Sequence, residues 1–164
     1  RVGYLGVTEP ITHRQAAERI SSALRLETAQ AGAAFPHTAQ IRPHSDLVIV
    51  SDFLDPIDAT LERIDRIASS SIRGHLVHII DPAEESFTYS GRTEFIDPER
   101  GTKLTAGRAE DWSEDYLALF NARKDALQRE ATRRGWTHTI HHTDRPASEA
   151  LVSLHLKMTA AGGN

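Results

Sequence analysis

The segment Asp46-Leu-Val-Ile-Val-Ser-Asp-Phe-Leu-Asp55 decides the fold class. Its four consecutive apolar residues, 47–50, predict a strand covered on both faces, because a half-exposed strand would alternate with polar residues. Pro56 and a helical apolar pattern follow at once. In open α/β sheets, ligands bind where such strands end. The polar residues of 51–55 are therefore the first candidates for a functional site.

A helix and a second strand follow this segment and complete a strand–helix–strand unit. The predicted helix begins with Asp55 as N-cap and Pro56 at its first position, and Gly74 is expected to end it. Residues 75–80 are mostly apolar and predict the second strand, which Asp81-Pro82 closes. The unit has the length and order of a right-handed βαβ crossover.

Further elements are predicted on both sides of this unit, and together they indicate an α/β body with a hairpin excursion. They are a strand at 2–7, a helix at 13–30 capped by Thr12, a loop at 31–45, a hairpin at 86–96 that turns at Ser90-Gly91, a second turn at 97–101, a helix at 112–134 with Asp111 and Glu114 at cap positions, an edge strand at 136–142 and a helix opened by Pro146. Phe87, Tyr89 and Phe95 of the hairpin are expected to form a small satellite core.

Length, charge and composition narrow the function classes. The chain has 164 residues, enough for one domain with its own core. Its 19 basic and 23 acidic residues argue against general nucleic-acid binding, which requires a basic face. No apolar run approaches the ~20 residues needed to span a bilayer, so we expect no membrane insertion in this segment. The absence of cysteine excludes thiolate chemistry and fits a reducing compartment.

Three aspartates close to the end of the first strand are candidate cation ligands. Asp52, Asp55 and Asp58 form an acidic group, and oxygen-rich sites of this kind suit Mg²⁺. The alternative is a structural role for Asp55, which is placed as a helix N-cap, and for Asp58, which lies at the positive end of the same helix. Asp52 has no such local role, and its position leaves it open between cation ligand and turn residue.

Histidines on two predicted strands raise the alternative of a zinc site. They are His75, His78, His138, His141 and His142. On an alternating strand His138 and His142 share a face, and His78 approaches them if the two strands are neighbours. Three imidazoles can hold zinc. Exposed histidines on an edge strand are nevertheless the commoner outcome for such a pattern.

Motifs of common enzyme classes are missing from the sequence. It contains no phosphate-binding glycine loop, no Gly-x-Ser-x-Gly elbow and no His-Glu-x-x-His. The chain opens on Arg1 rather than Met, almost directly on a predicted strand. We therefore expect an upstream part to be missing.

A set of five segments carries a resemblance to a known family. They are residues 1–6, the run Ser51-Asp-Phe-Leu-Asp-Pro56 after an apolar strand, the strand ending in Asp81-Pro82, the hairpin residues Gly91, Glu94, Phe95 and Asp97, and the segment 134–143. In order and spacing they resemble the C-terminal von Willebrand factor A-like domain of an uncharacterised bacterial family, the domain of unknown function numbered fifty-eight. The likeness covers nearly the whole chain.

The resemblance implies a more specific fold than the residues alone. It implies a doubly wound, mostly parallel, Rossmann-like sheet with helices on both faces, to which residues 83–110 add a β-hairpin insertion. We expect a single domain over residues 1–161 and a frayed tail at 162–164. The family is also associated with MoxR-type AAA+ ATPases, which are usually encoded alongside it.

A divalent-cation site is a further implication of the resemblance. Domains of this type often hold the cation through Asp-x-Ser-x-Ser after the first strand, a threonine from a second loop and an aspartate after the fourth strand. Asp52 matches that last position with Ser51 beside it, and Thr8 and Thr12 are candidates for the threonine. The Asp-x-Ser-x-Ser element has no counterpart here. Mg²⁺ or Mn²⁺ is thus expected in the intact protein and not in this fragment.

The leading functional hypothesis is a cytoplasmic, non-enzymatic interaction module. Its loop edge, with Phe53 and Asp55 as partner-binding residues, would contact a MoxR-type AAA+ ATPase during assembly or maturation of a protein complex. The alternative is a Mg²⁺-dependent phosphoryl-transfer or hydrolase domain centred on Asp52, since acidic strand ends also serve that chemistry. A metal-free scaffold is the third hypothesis.

Loss of the first strand would expose two strand edges. In the family's fold that strand lies between the strands predicted at 2–7 and 47–50. Its absence would leave unpaired backbone groups on both neighbours, which is costly. We expect the gap to close directly or to be filled by a second copy, which predicts a homodimer through strand edges.

Overall fold

The computed structural model describes residues 1–5, 8, 10–12, 14–27, 41–68, 71–97 and 101–161. The elements in chain order are α1 (Ala16–Glu27), β1 (Asp46–Ser51), α2 (Ile57–Ala68), β2 (Arg73–Ile80), α3 (Pro82–Ser86), β3 (Thr93–Ile96), β4 (Lys103–Ala106), a 3₁₀ turn (Ala109–Trp112), α4 (Ser113–Arg133), β5 (Thr137–His142) and α5 (Ala147–Ala161). The chain forms two compact units: Arg1–Ser45 with Glu62–Ile72, and Asp46–Leu61 with Arg73–Asn164.

A three-stranded parallel sheet is the framework of the second unit. Its strand order is β1-β2-β5, with Val48 opposite His75 and His78 opposite Ile140. Strands β1 and β2 follow one another in the chain with α2 between them, so the predicted strand–helix–strand order is confirmed. The α/β class is confirmed with it.

The central strand of the sheet is β2. The run 47–50, which was expected to be covered on both faces, belongs instead to β1. β2 has neighbours on both sides and six of its eight residues are buried. β1 lies at one end of the strand order, and Val50 is 63% exposed. The apolar run 47–50 therefore predicted a strand correctly but overestimated its burial, since apolar composition does not specify which strands become neighbours.

Gly74 lies inside β2 and does not end the preceding helix. It pairs with Leu47 of β1, and α2 ends six residues earlier at Ala68. A Cβ atom built on Gly74 would lie 2.0 Å from two carbons of the Trp136 indole. Glycine is required here because an aromatic ring occupies the space of a side chain.

The β-hairpin exists, but the chain reverses between β3 and β4, at the predicted second turn, and not at Ser90-Gly91. β3 and β4 are antiparallel, with Phe95 opposite Leu104. The turn is closed by Asp97 N donating to Thr102 O at 2.9 Å, and Gly101 adopts a φ of 66°. The prediction of a turn at Ser90-Gly91 is wrong. Ser86, the first residue of the predicted hairpin, is instead the last residue of α3, a helix that begins with a capping box.

The satellite core predicted for the hairpin is confirmed for Phe87 and Phe95, whereas Tyr89 is 38% exposed. Phe87, Ala106 and Ala109 are buried together, and Phe95, Tyr116 and Leu117 pack against them. The Phe87 ring lies 4.9 Å from the Tyr116 ring and 6.3 Å from the Phe95 ring, measured between centroids. The excursion is thereby attached to α4 by aromatic packing.

The start of helix α4 differs from the prediction, whereas its end agrees with it. A 3₁₀ turn precedes it, and its N-cap is Trp112 without a side-chain hydrogen bond, so the prediction of an Asp111 cap is wrong. Gly135 ends the helix as predicted, with a φ of 68° that glycine accepts without strain. Trp136 N donates to Ala131 O at 2.8 Å and directs the chain into β5.

In the first unit, the described part of the predicted opening strand, residues 2–5, does not form a strand. Val2 makes one antiparallel bridge with Ile11, and Thr8 N donates to Tyr4 O at 2.8 Å. Residues 6 and 7 of the predicted strand lie outside the described residues. Helix α1 begins only at Ala16, so the prediction of Thr12 as its N-cap is wrong.

The last helix follows its sequence signals. Pro146 directly precedes α5, and Glu149 N donates to Pro146 O at 2.9 Å, as expected for a proline at the start of a helix. In the part of the chain that the structure describes, no helix combines the length and the apolar character needed to cross a membrane.

Candidate functional site at the carboxyl edge of the sheet

The carboxyl edge of the parallel sheet brings three polar segments together. β1, β2 and β5 run in the same direction and end at Ser51, Ile80 and His142. The residues that follow these strands, 52–55, 81–86 and 143–146, therefore leave the sheet on one side. The polar network described below lies at this edge, which is also the edge where the sequence predicted a site.

The loop 51–55 is folded back on itself by two short polar side chains. Ser51 Oγ accepts a hydrogen bond from Phe53 N at 3.0 Å, and Asp52 Oδ1 accepts one from Leu54 N at 3.2 Å. Phe53 has a φ of 52°, a left-handed conformation that is costly for an aromatic residue. The two hydrogen bonds offset that cost and fix the loop in one shape.

Phe53 and Arg123 attach the loop to the body of the unit. The Phe53 ring is 2% exposed and meets the His78 ring edge-on at 5.3 Å between centroids. Arg123 Nη1 donates to the carbonyl oxygens of Phe53 and Asp55 at 2.7 and 2.6 Å. The Phe53 ring therefore packs in the core, and the partner-binding role of this residue stays a prediction. Its neighbour Leu54 is 54% exposed at the tip of the loop.

The second segment is held by Asp81, whose two carboxylate oxygens have different partners. Oδ1 accepts from Ala83 N at 2.8 Å within a capping box completed by Glu84. Oδ2 accepts from Thr143 Oγ1 at 2.8 Å. The hydrogen bonds from Ala83 and Thr143 lower the pKa of Asp81. Asp81 therefore caps α3 and also joins the ends of β2 and β5.

Glu85 lies between the side chains of Lys124 and His142 at the same edge. Its carboxylate accepts from Lys124 Nζ at 2.6 Å and contacts His142 Nε2 at 2.7 Å. Hydrogen bonds from Lys124 and His142 lower the pKa of Glu85. His142 is thus engaged by a carboxylate, and the alternative of a zinc-binding trio with His78 and His138 finds no support among the described residues. The outcome that the sequence favoured, exposed histidines on the edge strand, is wrong for His138, which is 8% exposed.

His78 and His138 do meet, as a buried pair across β2 and β5. His138 Nε2 lies 3.4 Å from His78 Nδ1. His78 is 2% exposed and His138 is 8% exposed. Gln128 Nε2 donates to Thr132 Oγ1, which directs Gln128 Oε1 at His138 Nδ1, 3.1 Å away. In neutral His138, Nδ1 then carries the proton and Nε2 is the acceptor.

Burial keeps this pair uncharged at neutral pH. Desolvation, the adjacent His78 ring and the ammonium groups of Lys157 and Lys124 lower the pKa of His138 to about 4. Desolvation also lowers the pKa of His78. The pair therefore packs as two neutral rings behind the loop 51–55.

His75 has a different environment in β2. Its Nδ1 lies 2.9 Å from Thr137 Oγ1, and its Nε2 lies 3.7 Å from Asp46 Oδ1, too far for a hydrogen bond. The residue is 1% exposed. Both partners stand at the first positions of their strands, so His75 belongs to the amino edge and not to the candidate site.

The predicted cation ligands are divided between the two units, with Ser51 and Asp52 in the second and Thr8 and Thr12 in the first. Ser51 and Asp52 accept from main-chain amides of their own loop, and Thr8 Oγ1 accepts from Tyr4 N at 2.7 Å in the first unit. Among the described residues, no three His, Asp or Glu side chains are arranged to hold a metal ion. The ligand set Asp52, Ser51, Thr8 and Thr12 stays a prediction.

The profile of the family described as "Protein of unknown function DUF58" matches residues 11–126. The match covers more than half of the 164 residues. The chain belongs to the DUF58 family. Neither the curated proteins nor the solved structures compared with the chain include a match. The matched segment contains the loop 51–55 and Arg123 that holds it.

Four residues of this DUF58 edge were not anticipated from the sequence. They are Glu85, Arg123, Lys124 and Gln128. The spacing of Asp81 and Glu84 is that of a capping box, so the position of Glu85 on a short helix could have been found. Arg123 gives no such signal, because its acceptors lie 68 and 70 residues away in the chain.

Removal of the Arg123 guanidinium is expected to loosen the loop of this DUF58 domain. Arg123→Met keeps the length of the side chain and removes both hydrogen bonds to the loop carbonyls. We expect a loss of about 1.5 kcal/mol in the free energy of unfolding and faster amide exchange at Phe53 and Leu54. Arg129→Met, at an exposed position of the same helix, is the control. Unchanged exchange in Arg123→Met would contradict the prediction.

Acidification is expected to destabilise the folded domain through His138. Its pKa is about 4 when folded and ~6.5 when unfolded, so the unfolded chain takes up the proton first as the pH falls. The stabilisation is complete above pH ~6.5 and decreases towards pH ~4. His138 should account for about 2 kcal/mol of stability lost between pH 7 and pH 5.

Denaturant titrations at the two pH values measure this loss. His138→Gln should show a pH dependence weaker by that amount. The control His44→Asn removes an exposed histidine whose φ of 60° asparagine accepts, and it should retain the full pH dependence. Equal pH dependence in His138→Gln and the unmodified chain would show that His138 is not the responsible group.

Proposed function

We propose that this DUF58 chain is a non-enzymatic protein-interaction module that works with a MoxR-type AAA+ ATPase in the assembly or maturation of a protein complex. One observation carries the proposal: the loop 51–55 is fixed in shape and presents Leu54 to solvent. A loop that is already ordered loses little conformational entropy when it binds, which favours recognition.

The chemistry of the loop tip defines the surface that would receive it. Leu54 is 54% exposed and stands between Asp52 and Asp55, both at the surface. An apolar centre with a charged rim is the usual organisation of a protein interface. The partner surface would therefore be an apolar pocket surrounded by basic side chains, and the charge pairs would favour correct encounter.

The family resemblance supplies the finer part of the proposal. We assign the described sheet to a doubly wound, von Willebrand factor A-like domain, with Asp52 and Ser51 at the position where such domains hold a divalent cation. In the intact protein, Mg²⁺ or Mn²⁺ would bind there and add an acidic side chain of the partner as a ligand. A cytoplasmic location is part of the same proposal.

A binding measurement with a MoxR-type ATPase tests the proposal. Leu54→Ser should raise the dissociation constant tenfold or more, because burial of a leucine side chain contributes about 1.5–3 kcal/mol and a tenfold change corresponds to about 1.4 kcal/mol. Ile96→Ser is the matched control, since Ile96 is 55% exposed on the hairpin and should change the constant less than twofold. Absence of binding, or equal effects of the two substitutions, would contradict the proposal.

Turnover assays separate the interaction module from an enzyme. The chain is incubated with phosphate esters in the presence of Mg²⁺ or Mn²⁺, beside the Asp52→Ala variant. We expect no turnover by either protein. Turnover that Asp52→Ala abolishes would replace the interaction hypothesis by a phosphoryl-transfer or hydrolase function.

A further inference from the structure

Among the described residues, one buried side-chain atom has no hydrogen-bond partner, and it lies at the amino edge of the parallel sheet. It is Nε2 of His75, whose side chain is 2% exposed. A carboxylate oxygen, Asp46 Oδ1, lies 3.7 Å from it, beyond hydrogen-bonding distance. A buried polar atom without a partner costs free energy, so this position calls for a further ligand such as a water or an ion.

Thr137 restricts the proton positions on the His75 ring. Thr137 Oγ1 lies 2.9 Å from His75 Nδ1, so either the ring donates to the hydroxyl or the hydroxyl donates to the ring. In the second case the proton lies on Nε2, at a distance from Asp46 that is too long for a hydrogen bond. In the first case the lone pair of Nε2 faces the negative charge of Asp46, and a cation between them satisfies both groups.

Burial favours the form of His75 that binds a metal ion. Desolvation lowers the pKa of His75 and keeps its imidazole neutral at pH 7, and neutral imidazole is the ligand form. With Nδ1 donating to Thr137, Nε2 is the free ligand atom. Ligand histidines are commonly held in this way by a hydrogen bond from their other ring nitrogen.

The spacing of Nε2 and Oδ1 fits one zinc ion. Zinc binds imidazole nitrogen at about 2.0–2.1 Å and carboxylate oxygen at about 2.0–2.2 Å. The separation of 3.7 Å is shorter than the sum of two such bonds, so a single ion can bind both atoms. The Asp46 side chain is 32% exposed, which gives water ligands access to the remaining positions.

Arg73 competes with a cation for the same carboxylate. Its Nε lies 2.8 Å from Asp46 Oδ1, and its Nη2 lies 3.1 Å from Oδ2. The Arg73 side chain is 50% exposed, so it can turn towards solvent when a metal ion neutralises Asp46. Removal of the guanidinium should therefore strengthen metal binding at this position, an effect that metal binding to unrelated surface histidines would not show.

We propose that His75 Nε2 and Asp46 Oδ1 form a zinc site at the amino edge of the sheet, with water in the remaining coordination positions. The inference is independent of the loop 51–55, which lies at the carboxyl edge. No third His, Asp or Glu of the described residues completes the group, so the site binds more weakly than a closed structural zinc site. Asp46 begins β1 and Thr137 begins β5, so the ion would hold the amino ends of these strands to β2.

Calorimetric titration with zinc chloride tests the two ligands and the competitor. Asp46→Asn removes the carboxylate and should raise the dissociation constant about tenfold or more. Arg73→Met removes the competing guanidinium and should lower the constant about threefold or more. Asp125→Asn replaces an exposed carboxylate on α4 and should leave the constant unchanged, as a matched control.

Nuclear magnetic resonance of the histidine rings identifies the nitrogen that binds zinc in the unmodified chain. Zinc should shift the Nε2 resonance of His75 and leave the His138 ring unchanged. His155→Asn removes an exposed histidine of α5 and should retain zinc binding. Because this measurement uses the unmodified chain, it remains decisive if a substitution disturbs folding.

Four results would overturn the proposal. They are an absence of zinc binding, an unshifted His75 ring, a constant that Asp46→Asn leaves unchanged and an Arg73→Met variant that binds zinc no more tightly. Far-ultraviolet circular dichroism of each variant verifies that the chain is folded before its constant is compared.

Discussion

Gly74→Ala is expected to lower the free energy of unfolding by about 3 kcal/mol or more, although it adds a single methyl group. The new Cβ would lie 2.0 Å from two carbons of the Trp136 ring, inside the volume of the indole. Trp136 is 6% exposed, and Gly74 is paired with Leu47 in the sheet. Neither the ring nor the strand can move without disrupting buried contacts.

A matched glycine separates this steric effect from a general effect of glycine replacement. A Cβ on Gly107 would meet no atom within 4 Å, and its φ lies outside the left-handed region. Gly107→Ala should therefore leave stability unchanged or raise it slightly, because alanine reduces the entropy of the unfolded chain. Chemical denaturation of the two variants measures the difference.

Truncation of the indole provides the second test of the same contact. Trp136→Ala should itself cost 3 kcal/mol or more, as for other buried aromatic residues. Combined with Gly74→Ala, the total loss should be clearly smaller than the sum, because the clash no longer exists. Additive losses, or a Gly74→Ala variant within ~0.5 kcal/mol of the unmodified chain, would contradict the assigned role of Gly74.

Leu127→Ala is expected to cause the second large loss, about 3 kcal/mol. Leu127 is fully buried on α4, the helix that packs on β5 and β2. Its replacement removes buried apolar surface and leaves a cavity that surrounding side chains fill only partly. The consequence should extend to the carboxyl edge, since Arg123 and Lys124 lie on the same helix one turn earlier.

The same helix supplies the control for this substitution. Leu119 is 73% exposed, and Leu119→Ala should change stability by no more than ~0.5 kcal/mol. Denaturant midpoints of both variants, at equal slopes, give the comparison. Similar losses at the two positions would mean that burial along α4 is assigned incorrectly.

Local sequence determined which segments form helices and strands in much of the chain. The apolar runs at 47–50 and 75–80 are short and rich in β-branched residues, and both are strands. Gly135 and Pro146 set the end of α4 and the start of α5, because the backbone freedom of glycine and the restriction of proline act locally. The parallel sheet and its polar carboxyl edge followed from this order of elements.

Tertiary structure decided which strand is central, why Gly74 must be glycine and which side chains complete the site. β2 is the middle strand because β1 and β5 both pair with it, and no periodicity in its own sequence specifies two neighbours. Arg123 reaches carbonyl groups 68 and 70 residues away, and His142 reaches Glu85 across 57 residues. Such contacts depend on the packing of distant segments and leave no pattern in the local sequence.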